Sequence, residues 1–174
     1  MPDVSRLRSL IRDIPDFPKP GILFRDLTPL LSDPAGLRES VAALAEPYRG
    51  DPIDRVLGIE SRGFVLGAPV AIELGVGFVP VRKPGKLPHR TLEVSYDLEY
   101  GSDTVEMHVD AVHPGERVLI VDDLIATGGT AAASVELVRK AGAEVVSCAF
   151  LMELTALCGR EKLGVDHIHS VLDY

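Results

Sequence analysis

The chain has 174 residues, 46% of them hydrophobic and 25% charged, with 26 acidic side chains against 18 Lys and Arg and a formal net charge of -8. This is the composition of one globular domain large enough to bury a core, and its acidity argues against a nucleic-acid partner, which asks for a basic face. Two cysteines, Cys148 and Cys158, are too few for a disulfide framework or a zinc site, and Met1-Pro2-Asp3-Val4 lacks the form of a signal peptide, so a cytoplasmic protein is expected.

Val4, Leu7, Leu10, Ile11 and Ile14 recur at helical spacing and predict an opening amphipathic helix that stops at Pro15. The next stretch, about residues 15–30, holds Phe17-Pro18-Lys19-Pro20-Gly21 and then Ile22-Leu23-Phe24-Arg25; so many prolines predict an extended arm rather than a central strand. Ser32 or Asp33, followed by Pro34, caps a second helix with Leu37, Val41 and Leu44 as its buried stripe. Arg55 to Ile59 reads as a strand, Glu60-Ser61-Arg62-Gly63 as a loop, and the following residues as a helix to about Leu74. That loop offers a hydroxyl, a guanidinium and free amides at a helix start, groups suited to an anion, although a surface Glu60–Arg62 pair is the commoner use of such residues. Residues 63–81 are nearly uncharged, yet Glu73, Pro69, Pro80, Gly75 and Gly77 break them into a helix and a strand, so no membrane span is predicted.

After the strand Phe78 to Val81 comes the one dense basic run of an acidic chain, Arg82-Lys83-Pro84-Gly85-Lys86-Leu87-Pro88-His89-Arg90. Strict alternation from Leu92 to Tyr100 and again from Val105 to Val109, across Gly101-Ser102, predicts a hairpin. Inserted after a strand's carboxyl end, at about residues 83–110, it would be a lid over an α/β site.

Val118-Leu119-Ile120-Val121 then reads as a strand buried on both faces, with Asp122 and Asp123 at its carboxyl end. Ala126-Thr127-Gly128-Gly129-Thr130 opens a helix that Gly142 closes. Glycines admit backbone amides close to a ligand, and a helix amino terminus adds partial positive charge, so the loop is built for a phosphate. It is neither a Walker A loop nor the dinucleotide pattern, and Gly-Gly-Thr alone would be read as a turn with Thr127 or Thr130 as cap. A phosphate beside two carboxylates would be repelled unless hydroxyls or a cation lie between, a need that a ribose diol with magnesium meets. A strand from Glu144 to Leu151, a short helix from Glu153 to Leu163 and a final strand from His167 to Leu172 complete the chain. The fold expected is α/β, an open, mostly parallel sheet with helices on both faces and a single domain over residues 1–174.

The acid pair and glycine loop together resemble the phosphoribosyl pyrophosphate (PRPP) motif of the type I phosphoribosyltransferases. The resemblance implies that Asp122 and Asp123 hold the ribose hydroxyls and that Ala126, Thr127, Gly128, Gly129 and Thr130 wrap the 5-phosphate. It places the pyrophosphate at Glu60, Ser61 and Arg62, with Arg82, Lys83 and Lys86 supplying further charge and Mg2+ held mainly through PRPP rather than by direct protein ligands. The Phe-Pro-Lys-Pro-Gly arm and Ser95-Tyr96-Asp97-Leu98-Glu99-Tyr100-Gly101 resemble the adenine branch of that family, in which Phe24 would stack on the base, Leu23 and Arg25 would line it, and Glu99 would be the acid/base. A member of that branch converts adenine and PRPP to AMP and pyrophosphate, as a homodimer in which a basic residue near Arg82 reaches the neighbouring site. His89-Arg90 departs from the pattern of relatives and bears on lid motion and charge. Two alternatives stay open at this stage: use of a 6-oxopurine, which would change only the base pocket, and a PRPP-sensing regulator, whose usual DNA-binding domain this chain has neither the length nor the charge to contain.

Overall fold

The structure, a computed structural model, describes residues 4–97 and 101–174. In chain order its elements are α1 (Val4–Ser9), β1 (Arg12–Pro15), β2 (Leu23–Asp26), α2 (Thr28–Ser32), α3 (Pro34–Ala45), β3 (Arg55–Ile59), α4 (Arg62–Leu74), β4 (Gly77–Val81), β5 (Thr91–Asp97), β6 (Ser102–His108), β7 (Arg117–Ile125), α5 (Gly129–Lys140), β8 (Glu144–Glu153) and β9 (Ile168–Asp173). Among the described residues the central sheet has five strands in the order β4-β3-β7-β8-β9, all parallel.

Period-two alternation on β7 decides the layers. Val118 and Ile120 point to one face, where they join Leu57, Ile59, Cys148, Phe150 and the α5 residues Leu137 and Val138; Leu119 and Val121 point to the other, with Leu44 of α3 and Leu66 and Val70 of α4. Helices therefore cover both faces, which is why the middle strands read as unbroken apolar runs. The chain leaves β3 outward to β4 through α4 but leaves β7 in the opposite direction to β8 through α5. Between the carboxyl ends of β3 and β7 the connections diverge and open a crevice, the usual ligand position in such sheets.

Three local expectations give way to longer-range contacts. The opening helix ends at Ser9 rather than Pro15, because Arg12–Pro15 pairs antiparallel with Leu23–Asp26 and sets Asp13 directly across from Arg25, with which it forms an ion pair. The span from Glu153 to Leu163 is two short 3-10 turns, Thr155–Leu157 and Gly159–Lys162, joined at Cys158 in the left-handed region, not one helix. The strand carrying the acid pair continues through Asp122 and Asp123 to Ile125, so the backbone of the acid pair lies within the ladder with β8, where Asp122 is opposite Phe150 and Leu124 opposite Met152. Asp33 caps α3 as expected, accepting from the Gly36 amide at 2.6 Å. The hairpin β5–β6 is present, but Val94, Val105 and Met107 are buried in the α5-side core, so its base is a packed wall rather than a free flap.

Candidate active site

The crevice at the β3–β7 divide is a cavity of about 390 Å³ lined by Glu60, Ser61, Arg62, Lys83, Asp122, Asp123 and the loop from Leu124 to Ala131. Three separate stretches of chain meet there: the loop after β3, the start of the basic run after β4, and the acid pair with its glycine loop after β7. The first turn of α4 can lie this close to β7 because Gly63 has no side chain; a Cβ there would stand 2.8 Å from Asp122 Oδ1 and 3.0 Å from the Val121 carbonyl oxygen.

The charges are arranged in pairs. Arg62 Nε donates to Asp123 Oδ2 at 2.5 Å. Glu60 accepts from Arg82 Nε at 3.1 Å and from the Lys83 amide at 3.0 Å, and also pairs with the Lys86 ammonium. Burial works to raise the Glu60 carboxyl, but these cationic and amide donors outweigh it and hold the group below its ordinary value. Lys83 bonds the Tyr96 hydroxyl at 2.9 Å and forms an ion pair with Asp103; desolvation opposes its charge, yet the two partners leave its pKa raised.

Asp122 is the exception. Its Oδ1 accepts from the Asp123 amide at 2.8 Å, and no ion pair reaches it among the described residues. Enclosure by protein, followed by the adjacent Asp123 charge, pushes its carboxyl well above the usual range. Its surface is not sealed, since it lines the cavity, but the crowding behind it is what decides its energy. A carboxyl poised this way gains from a hydroxyl donor or a cation brought by a ligand.

At the start of α5 the cap position belongs to Gly128, at φ 79°, and no side chain caps the helix, so Thr127 and Thr130 are not its cap. The amides of the first turn are left facing the cavity, the arrangement that holds a phosphate. Thr130 Oγ1 instead donates to the Tyr96 hydroxyl at 2.9 Å, tying the glycine loop to the hairpin.

The arm residues sit apart from this cavity. Leu23 is 47% exposed, Phe24 packs edge-on to Phe17 with centroids 5.1 Å apart, and Arg25 is held by Asp13 and by the Tyr174 ring, 4.3 Å below its guanidinium. Arg82 and Lys86 do not line the cavity; they reach it through Glu60. Glu99 lies outside the described residues. Periodicity passed over Tyr96 and Asp103 as members of an alternating hairpin, and the partners that give them a place in the site, Lys83 and Thr130, are distant in the chain.

A parallel sheet whose diverging strand ends carry a glycine loop, an acid pair and a cationic rim is an α/β fold with its candidate site at the usual ligand position. Residues 30–168 match the phosphoribosyl transferase domain. An adenine phosphoribosyltransferase of Methylococcus capsulatus is 60% identical over 171 residues, spanning 98% of this chain and 100% of the relative. The crystal structure of an adenine phosphoribosyltransferase from Thermoanaerobacter pseudethanolicus superposes with a TM-score of 0.95 at 52% identity, covering 99% and 100% of the two chains. That of the Saccharomyces cerevisiae enzyme, complexed with adenine and an imino-altritol bisphosphate, superposes at 0.92 with 43% identity and covers 97% and 98%. The chain belongs to the phosphoribosyl transferase family.

Proposed function

We propose that the site transfers the 5-phosphoribosyl group of PRPP to adenine, giving AMP and pyrophosphate in purine salvage. The observation that carries this reading is the convergence, in one cavity, of the glycine loop, the uncompensated Asp122 and the Glu60–Arg62 loop, in a chain 60% identical over nearly its full length to an adenine phosphoribosyltransferase.

The three parts divide the work. Amides of residues 126–130 take the 5-phosphate at the α5 amino terminus. Asp122 and Asp123 accept from the ribose hydroxyls, and Ser61, Arg62 and Lys83 meet the pyrophosphate, with Lys86 and Arg82 behind Glu60. Bond breaking at the anomeric carbon builds positive charge on the ribose and negative charge on the leaving group, so fixed charge and alignment supply most of the acceleration. The residues present suit magnesium held through substrate oxygens: of the three carboxylates that line the cavity, Asp123 is paired with Arg62 and Glu60 with Arg82 and Lys86, which leaves Asp122 as the one without an ion pair among the described residues. Magnesium, when bound with PRPP, supplies charge neutralisation on the pyrophosphate.

For the base, Phe24 offers the aromatic platform, with Leu23 and Arg25 beside it on β2. Adenine presents an amino donor at position 6 and calls for an acceptor, which backbone carbonyls of an extended arm supply; a 6-oxopurine calls for a donor. Glu99 takes the proton that adenine loses. No helix is long and apolar enough to cross a membrane among the described residues; for the cytoplasmic setting the support is composition and the reduced cysteines. A two-fold dimer is supported by the apolar groove between α3 and α4, where Ile72 is 81% exposed.

The test is product formation from each purine by purified protein. We expect AMP from adenine and only trace product from hypoxanthine, guanine or xanthine, because a pocket of fixed acceptors rejects an oxo group by roughly 10,000-fold or more. Glu99→Gln should lower turnover by about 100- to 10,000-fold with little change in PRPP binding, the range for a lost acid/base group. Comparable use of hypoxanthine would overturn the choice of base.

A further inference from the structure

We infer that residues 154–163 form a rigid buttress for the 5-phosphate loop and that Gly159 is a positioning residue for PRPP, an inference that rests on the 5-phosphate reading of residues 126–130. The two loops meet backbone to backbone. A Cβ added at Gly159 would overlap the Ala126 carbonyl oxygen and stand 2.9 Å from the Gly128 amide nitrogen, and a Cβ at Gly128 would overlap the Gly159 carbonyl oxygen. Gly159 is not among the residues in the left-handed region, whereas Gly128 is. Gly159 is therefore a glycine for space, not for conformation: it lets a second strand of backbone lie against the loop whose amides must converge on a phosphate.

The buttress cannot retreat. The Leu154 amide donates to the Ile125 carbonyl at 3.0 Å, and the Thr155 amide to the Tyr174 carbonyl at 2.9 Å. Arg160, the next residue after Gly159, donates through Nε to Glu153 Oε1 at 2.7 Å and makes a second bond through its terminal nitrogen. Glu153 is 3% exposed at the end of β8 and also accepts from Ser170 Oγ on β9 at 2.7 Å. The segment is thus pinned to two strands of the central sheet and to the last residue of the chain. A methyl group at position 159 must displace the phosphate loop rather than its support, and a displacement of about 1 Å in a positioning group can cost on the order of 100-fold.

Calorimetry on the full chain with ribose 5-phosphate and, separately, with pyrophosphate plus magnesium tests this. Wild-type protein should bind both; failure to bind ribose 5-phosphate would sink the 5-phosphate reading itself. Gly159→Ala should weaken ribose 5-phosphate by roughly 10- to 100-fold and leave pyrophosphate affinity unchanged, and in turnover it should raise the KM for PRPP but not for adenine. Unaltered ribose 5-phosphate affinity, or equal weakening of both ligands, would overturn the buttress. If Gly159→Ala does not fold, Arg160→Lys adds no atoms near the loop and loses the two-pronged grip on Glu153. It should weaken ribose 5-phosphate alone, in the same direction and by less; a variant that binds both ligands as wild type does would equally overturn the inference.

Discussion

Asp122 carries a cost that the ligand-free fold does not offset. Its carboxyl is enclosed, sits beside Asp123 and is raised well above the ordinary value. The native state therefore holds a proton that the unfolded chain has already released, over the window from the ordinary Asp range up to the raised value. Stability contributed by this group falls as pH rises through that window. Glu153 has the opposite sign: Arg160, then Ser170, holds it low, so its contribution is present above the ordinary Glu range and is lost as pH falls through its folded value. Asp122→Asn should raise the melting temperature of the ligand-free protein at neutral pH by roughly 2–4 °C, the shift that follows 1 kcal/mol at this chain length, while weakening PRPP in calorimetry. A variant with lower melting temperature and intact PRPP binding would show that the carboxylate is already satisfied.

At the scale of elements, the glycine loop and the hairpin act on one another. Gly129 is the first residue of α5, and a Cβ there would approach the Tyr96 ring at 3.0 Å, a contact that a small ring movement relieves. Gly128 has no such outlet, since it combines φ 79° with backbone closing on it from Gly159. Gly128→Ala should therefore cut PRPP affinity far more than Gly129→Ala, with the penalty for a non-glycine residue in the left-handed region, about 1 kcal/mol, added to the steric one. Equal effects in titration would mean that the loop owes nothing to this geometry. Gly129→Val is a harsher change, because its second branch must also fit beside Tyr96, and its effect should fall between the two. The base of the hairpin is fixed, for Met107 and Val105 belong to the core and Arg82 pairs through its backbone with Glu106.

For the whole molecule, the two faces of the sheet end differently. The α5 face is closed by the hairpin, whereas the α3–α4 face leaves a groove of about 570 Å³ lined by Leu37, Val41, Pro69 and Ile72. In the proposed dimer this face is covered by a second copy. Arg82 is meanwhile satisfied within its own protomer, on Glu60 and over the Phe64 ring at 5.9 Å. Ile72→Glu should shift the protein from dimer to monomer in sedimentation while the chain stays folded, because Ile72 supports no intramolecular core. A dimer unaffected by this substitution would place the interface elsewhere.

The strand-loop-helix units, the acid pair, the glycine loop and the hairpin were legible in the residues because each is a local pattern: apolar runs for strands covered on both sides, alternation for the hairpin, the Asp33 cap at the start of α3 and Gly142 at the end of α5. The family resemblance then assigned chemistry to those loops. Local pattern misread residues 10–15 and 153–163, where helical spacing was present but other parts of the chain outbid it: β2 supplies cross-strand partners such as Arg25 to Asp13, and Gly159 is drawn against Ala126. Tertiary structure alone decided that Tyr96 meets Thr130, that Lys83 meets Asp103 and that Arg25 lies over Tyr174. Periodicity reports which face of an element is buried, whereas these contacts depend on where the parallel sheet, through its diverging connections, sets the ends of separate strands side by side.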